Sequence, residues 1–205
     1  MEDITEPATE KLVVPERILE LVDRFESDID KYRSIPYNEE DIKNAFINPL
    51  FEALGWDVGN KTNKPPDLRE VKFEDSVDVQ GRIKNPDYSF RLDRARKFFA
   101  EAKKPAVDIE GGMNPAFQLR SYAWSANLPV SILTDFEEFA VYDCRSQPFK
   151  FDKPTNSRLF IVKLRRRTPQ QSWRGMQGAA AGQSKSKRFI CLYPSFSSEV
   201  PCCSM

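Results

Sequence analysis

The stretch PDYSFRLDRARKFFAEAK, residues 86–103, decides the fold of this chain. Two apolar-rich runs, each about as long as a strand, are joined by the charged turn Asp93-Arg94-Ala95-Arg96, and this pattern predicts a β-hairpin. Side chains alternate between the two faces of a strand, so Glu101 and Lys103 are expected on one face. If Asp87 lies on that face too, two carboxylates and an ammonium converge. Such a group suits a hard divalent cation beside a positive charge.

Helical patterns precede the hairpin. Apolar residues keep helical spacing from Pro15 to about Ser34, which predicts an amphipathic N-terminal helix. Asn38 is placed to cap a second helix, Pro49 is expected to kink it, and Gly55 is expected to end it. The sequence therefore predicts two helices before the first strand.

Strand patterns lie on both sides of the hairpin. Trp56-Asp57-Val58 is expected to begin the first strand, and residues 71–79 predict another strand or hairpin. A helix is predicted over 116–126, followed by strands at 128–134 and 138–142. This order predicts an α/β fold, a sandwich in which helices flank a central mixed sheet, with an additional N-terminal helix.

Composition bounds the class of protein. Lysine plus arginine and aspartate plus glutamate both number 31, giving a formal net charge of zero, but acidic residues dominate residues 1–40 and basic residues dominate 163–205. No secretory leader pattern and no apolar run of about 18 residues is present. The chain has no histidine, and its four cysteines lack paired C-x-x-C spacing. These features predict a soluble cytoplasmic protein without a membrane partner, a zinc site or a histidine base.

Composition also predicts three parts: an N-terminal helical extension over 1–35, a main domain over 36–162 and a basic, low-complexity tail over 163–205. Two interpretations of the tail are open. It is either a disordered basic arm that holds phosphates by charge, or a non-native continuation such as a frame change produces.

The hairpin and its flanks resemble a known family. Pro86-Asp87 followed by Glu101-Ala102-Lys103 is similar to the signature of the PD-(D/E)xK nuclease superfamily, which also requires two consecutive strands. Gln118 and Tyr122, on the helix after the hairpin, resemble the Q-x-x-x-Y motif of the same nucleases; residues four apart share a helix face. Glu39, with Glu40 as the reserve, resembles the acidic residue of the family's first helix.

A narrower resemblance covers roughly residues 36–150. The segments FFAEAKKP (98–105), QLR (118–120) and LTDFEEF (133–139) are similar to the N-terminal nuclease domain of type IIG restriction-modification enzymes and to the N-terminal domain of type I restriction subunits. The resemblance implies a restriction-endonuclease-like fold. The resemblance in sequence does not extend into the tail.

The resemblance also implies roles for these residues. Asp87 and Glu101 would bind Mg²⁺, with the carbonyl of Ala102 as a further ligand. Lys103 would orient the attacking water or stabilise developing negative charge. The expected cofactor is therefore Mg²⁺, and the expected substrate is DNA, cleaved at its phosphodiester bonds.

Three further residues complete the expected catalytic set. Glu39 would reach the metal ion through water. Gln118 and Tyr122 would position Lys103 or the scissile phosphate.

Other functions remain open. A type IIG enzyme carries a methyltransferase loop of the N-P-P-Y type and a type I subunit carries a G-x-x-x-x-G-K-[ST] loop, and neither occurs here. Methyltransferase or specificity modules would then lie on a longer chain or a separate subunit. One alternative is a non-catalytic DNA-binding or interaction module that retains the nuclease fold. A second is an unrelated α/β enzyme whose basic tail binds RNA.

Overall fold

A computed structural model describes residues 14–165 as an α/β protein with a mixed central sheet and a few helices. The helices are α1 (Glu16–Ser27), α2 (Ile29–Tyr32), α3 (Glu39–Ile42), α4 (Asn48–Ala53) and α5 (Met113–Ser125), with a π-helical turn at Lys43–Ile47 and a 3-10 turn at Pro154–Asn156. The strands are β1 (Val71–Phe73), β2 (Val77–Val79), β3 (Arg82–Lys84), β4 (Tyr88–Leu92), β5 (Ala95–Ala102), β6 (Val130–Thr134), β7 (Glu138–Asp143) and β8 (Arg158–Lys163).

The central sheet has the strand order β1-β4-β5-β6-β7-β8. Strands β5 and β6 are parallel, and the chain passes from one to the other through α5; the other neighbouring pairs of this sheet are antiparallel. Strands β2 and β3 form a separate antiparallel pair. The sheet is therefore mixed, as the sequence predicted.

The predicted hairpin is present as β4 and β5. Tyr88 pairs with Ala100 and Leu92 with Ala95. Asp93 and Arg94 form the tip with φ values of 47° and 70°, the left-handed backbone that a two-residue hairpin turn with the right-handed twist requires. The predicted four-residue turn is thus shorter by two residues, because Ala95 and Arg96 already pair with Leu92 and Arg91 in β4.

The central sheet carries a core on each face. Ala100 and Ala102 of β5 face the helices that precede the sheet, in a core with Phe25, Phe46 and Phe51. The opposite face packs on α5. Its residues are Phe99, Leu133, Ala140 and Tyr142 of the sheet with Leu119, Tyr122 and Ala123 of the helix. Glu101 and Lys103 alternate with the two alanines, so burial of the alanines places the charged pair on the α5 side.

The helical segment before the sheet differs in detail from the prediction. The first helix breaks at Asp28, where φ is −129°. The side chain of Asn38 caps α3 by accepting from the Asp41 N–H at 2.8 Å, as predicted. Instead of a simple kink, a π-helical turn precedes Pro49, which lacks an N–H for the carbonyl of Ala45. The Arg24 guanidinium donates to that carbonyl.

One strand prediction is wrong, and two strands of the structure were not predicted. Residues 56–58 form no strand; Trp56 and Val58 are buried in a turn, so their apolar character reflects packing alone. Strand β3 escaped prediction because all three of its residues are exposed. Strand β8 escaped because it covers the sheet edge and is mostly half-exposed, which weakens the alternation. No helix within residues 14–165 is both long and apolar enough to cross a membrane. The predicted tail begins one residue too early, because Lys163 is the last residue of β8. Residues 166–205 of the predicted tail lie outside the described residues.

Candidate active site

Segments from both strands of the hairpin bring the predicted charged residues together at the end of β5. Asp87 precedes β4, and its Oδ2 accepts the N–H of Ala102 at 2.9 Å. Its own N–H lies 3.5 Å from Oε2 of Glu101. Because β4 and β5 pair with Tyr88 opposite Ala100, the residue before Tyr88 meets the residue after Ala100. The convergence of Asp87, Glu101 and Lys103 expected from the sequence is present in the structure.

Glu101 is the most enclosed of these charged groups. It is only 3% exposed, and its Oε1 accepts from Lys103 Nζ at 3.0 Å and from Gln118 Nε2 at 2.5 Å. Burial raises the pKa of Glu101 well above its ordinary value, and the charge of Asp87 raises it further, against the opposing effect of Lys103. The site therefore holds a carboxylate that gains from additional positive charge.

Lys103 joins the end of β5 to α3. Its Nζ lies 3.6 Å from Oε2 of Glu39 in addition to its contact with Glu101. Burial works to lower the pKa of Lys103, but Glu101, Glu39 and Asp87 outweigh burial and raise it. The side chain thus remains an ammonium at neutral pH.

Of the two candidate glutamates in α3, Glu39 lies at the site. Burial raises the pKa of Glu39, while Lys103 acts to lower it. Glu40 has 67% of its side chain exposed and pairs instead with Lys43 at 3.0 Å. The choice follows from helix geometry, because adjacent residues point about 100° apart.

Helix α5 places Gln118 and Tyr122 next to each other. Gln118 donates to Glu101, whereas Tyr122 is 8% exposed and belongs to the core between α5 and the sheet. Burial is the main cause of the raised pKa of Tyr122, followed by the charge of Glu101. Ala102 lies between the carboxylates, with its N–H bound to Asp87. Its carbonyl as a metal ligand stays a prediction.

Lys43 is a site residue that the sequence reasoning missed. Its Nζ lies 3.3 Å from Oδ1 of Asp87. The same ammonium also forms an ion pair with Glu40. Burial acts to lower the pKa of Lys43, but the hydrogen bond with Glu40 and the charge of Asp87 raise it overall. The signal was its position four residues after Glu39, which places both on one helix face.

The donor set fits a hydrated divalent cation. Within residues 14–165, no group of three or more histidine, cysteine, aspartate or glutamate residues is arranged to hold a metal ion. Mg²⁺ needs less than this, because it commonly binds one or two carboxylates and retains several waters. Asp87 and Glu101 supply two hard oxygen donors, and the pKa of Glu101 is raised by burial first and by the charge of Asp87 second.

Comparison with known proteins gives one informative relative. The chain is 44% identical over 146 residues to the type II restriction enzyme and methyltransferase RM.Eco57I of Escherichia coli. The chain is related to a restriction-modification enzyme. The alignment covers 70% of this chain and 15% of the relative, so the chain spans a small part of the length of that protein.

Two other comparisons returned nothing. No protein-family model matches the chain, and no solved structure matches it. The relation to a restriction system therefore rests on the similarity in sequence to RM.Eco57I.

Proposed function

We propose that this chain is the cleavage domain, or a fragment, of a restriction-type enzyme, a metal-dependent DNA endonuclease of the PD-(D/E)xK superfamily with a restriction-endonuclease-like fold. The observation that carries the proposal is the contact of Glu101 with both Lys103 and Gln118, beside Asp87. Four residues that belong to two motifs and span positions 87 to 118 meet at one strand end. The similarity to a combined restriction enzyme and methyltransferase supports DNA as the substrate.

The proposed reaction is hydrolysis of a phosphodiester bond. Mg²⁺ held by Asp87 and Glu101 would neutralise charge on the phosphate and activate a water molecule. In this proposal Lys103 places an ammonium beside the phosphate oxygens, where negative charge develops as the bond to the leaving oxygen breaks. Its ion pairs with Glu101 and Glu39 fix the position of its Nζ.

The remaining side chains act as positioning residues. Gln118 holds one oxygen of Glu101, which leaves the other oxygen directed toward Asp87. Lys43 holds Oδ1 of Asp87 while the Ala102 N–H holds Oδ2. Fixing the orientation of ligating carboxylates in this way typically affects metal affinity and activity by about 10- to 100-fold. Tyr122 supports Gln118 from the next turn of α5.

The proposal leaves target recognition outside these residues. Phosphate and metal contacts position a duplex without reading its sequence. Methyltransferase and specificity modules on a longer chain or a separate subunit would supply modification and recognition. The proposed location is the cytoplasm, where such a system meets DNA.

Cleavage of supercoiled plasmid tests the proposal. Wild-type protein is expected to convert the plasmid to open-circular or linear forms with Mg²⁺ and to leave it intact with EDTA. Asp87→Ala and Lys103→Ala are expected to lose this activity, with circular dichroism confirming that both variants fold. Cleavage that survives both substitutions would contradict the mechanism. DNA binding without cleavage by the wild type would favour the non-catalytic module.

A further inference from the structure

A groove of about 690 Å³ lies directly beside the candidate active site. One wall is the β2-β3 pair, and the other is α5. Gln118 and Tyr122 line the groove as well as belonging to the proposed site, so the two are continuous. A ligand that occupies the groove would therefore reach the site around Glu101.

The β2-β3 pair presents two different faces. Residues directly opposite in an antiparallel pair lie on the same face, and Arg82 is opposite Val79 while Lys84 is opposite Val77. Asp78 is opposite Ile83 and therefore lies on the other face. Arg82 and Lys84 line the groove, and no aspartate or glutamate is among the described residues that do so.

Arg82 and Lys84 are available to bind a ligand. Both are exposed, and neither makes an ion pair with a carboxylate within residues 14–165. Two residues apart along a strand, they are separated by roughly 6.6 Å, and each side chain is long enough to reach a different phosphate. Covering these two charged side chains costs free energy, and that cost is offset only when an anion pairs with them.

The α5 wall completes a surface suited to a nucleic acid strand. Phe117 and Trp124 are half-buried along it, and Ser121 and Ser125 line the groove on the same helix. Apolar ring surface and hydroxyls suit sugars and bases, while the basic wall suits phosphates. The combination favours a DNA backbone over an apolar peptide.

We propose that this groove holds the backbone of the DNA substrate next to the cleaved phosphate, with Arg82 and Lys84 each contacting one phosphate. This inference rests on the proposed function, because it takes DNA as the substrate. It adds the path by which DNA leaves the active site, along α5 and under the β2-β3 pair. Since phosphate contacts carry no sequence information, their loss weakens binding equally for unrelated duplexes.

The test is binding of two fluorescein-labelled duplexes of unrelated sequence to the full chain, measured by anisotropy with Ca²⁺ in place of Mg²⁺. Arg82→Gln/Lys84→Gln is compared with wild type and with Arg17→Gln/Lys31→Gln, which removes the same charge from α1 and α2 on the opposite face of the sheet. The groove variant is expected to bind both duplexes roughly tenfold more weakly, and the slope of log K against log salt is expected to shrink by about 1.8. The control is expected to match wild type.

The outcomes separate this inference from the proposed function. Absence of DNA binding by the wild type, an unchanged affinity and slope in the groove variant, or an equal loss in the control overturns the groove. If the wild type cleaves DNA while the groove variant binds unchanged, or while the control loses as much affinity as the groove variant, the nuclease proposal still holds. Groove-dependent binding by a wild type that never cuts supports the groove and contradicts the nuclease.

Discussion

Glu101 and Asp135 are both 3% exposed, yet their surroundings differ. Glu101 contacts Lys103 and Gln118 and lies beside a groove. Asp135 lies in the turn between β6 and β7, where its Oδ1 accepts the N–H of Glu138 at 2.7 Å. Burial raises the pKa of Asp135 to about 7 and is also the largest cause of the raised pKa of Glu101.

The difference shows that a perturbed acid does not identify a functional site without its partners. The hydrogen bond of Asp135 closes a turn within its own segment, which is the usual role of an aspartate at that place. The partners of Glu101 are Lys103, which follows β5, and Gln118 of α5, and both have a role in the proposed hydrolysis. The Glu101 site is therefore the candidate for chemistry, and the Asp135 turn is structural.

The largest expected effect comes from exchanging the two acids for their amides. Glu101→Gln is expected to lower the rate of Mg²⁺-dependent plasmid cleavage roughly a thousandfold, because it removes one of the two carboxylates proposed to hold Mg²⁺. Asp135→Asn is expected to keep the rate within about twofold of wild type. Initial rates of plasmid nicking measure both, and equal losses would remove the distinction between the two regions.

The Asp135 turn is expected to make stability depend on pH. A raised pKa means that the folded protein holds a proton that the unfolded chain has released, so this group lowers stability as pH rises from about 4 to about 7. Asp135→Asn removes that effect. The free energy of unfolding of the variant, relative to that of wild type, should therefore increase by on the order of 3 kcal/mol between pH 4 and pH 8. Urea unfolding at both pH values measures the gain, and a difference independent of pH would contradict it.

The support that α5 gives to Glu101 is expected to matter next. Gln118→Ala removes the donor at 2.5 Å from Glu101 Oε1 and should lower cleavage roughly 10-fold, with a higher Mg²⁺ concentration needed for half-maximal rate. Rates over a Mg²⁺ series measure this shift. Gln147→Ala lies in the same groove without a contact to Glu101 and serves as the matched control. A fall in stability with an unchanged Mg²⁺ dependence would mean that Gln118 has only a structural role.

The smallest effect concerns the ion pairs beside Asp135. Glu137 is buried and pairs with Arg33 and Arg165, both at 2.6 Å. Those arginines are about half exposed, so Glu137→Ala should lower the free energy of unfolding by about 1 kcal/mol. It should leave cleavage unchanged. Glu20→Ala, which breaks an exposed pair with Arg17, should not change the urea midpoint, and a loss equal to that of Glu137→Ala would contradict the account.

The sequence was informative where function depends on local geometry. The charged turn at residues 93–96 and the alternation around Glu101 predicted the hairpin and the face of the charged pair, although the turn itself is only Asp93-Arg94. Helical spacing placed Gln118 one turn before Tyr122. These features depend on the strand period of two residues and the helical period of about four residues, and both periods can be read directly from a sequence.

Contacts between distant segments could not be read from the sequence in the same way. Asp87 and Lys43 are 44 residues apart, and their pairing depends on how the helical segment before the sheet packs. Strand β3, which carries Arg82 and Lys84, was not predicted, because a short strand with three exposed residues has no apolar pattern. The apolar residues Trp56 and Val58 misled for the opposite reason, since they are buried without being in a strand.

The proposed hydrolysis depends most on a cation site formed by Asp87 and Glu101. Mn²⁺ binding tests this cation site without requiring cleavage. The binding is monitored through the loss of the electron paramagnetic resonance signal of the free ion. Wild type and Asp135→Asn are expected to bind Mn²⁺ equally, and Glu101→Gln and Asp87→Ala are expected to bind at least roughly tenfold more weakly. Equal binding by all four proteins, or absence of binding by the wild type, would contradict the central claim.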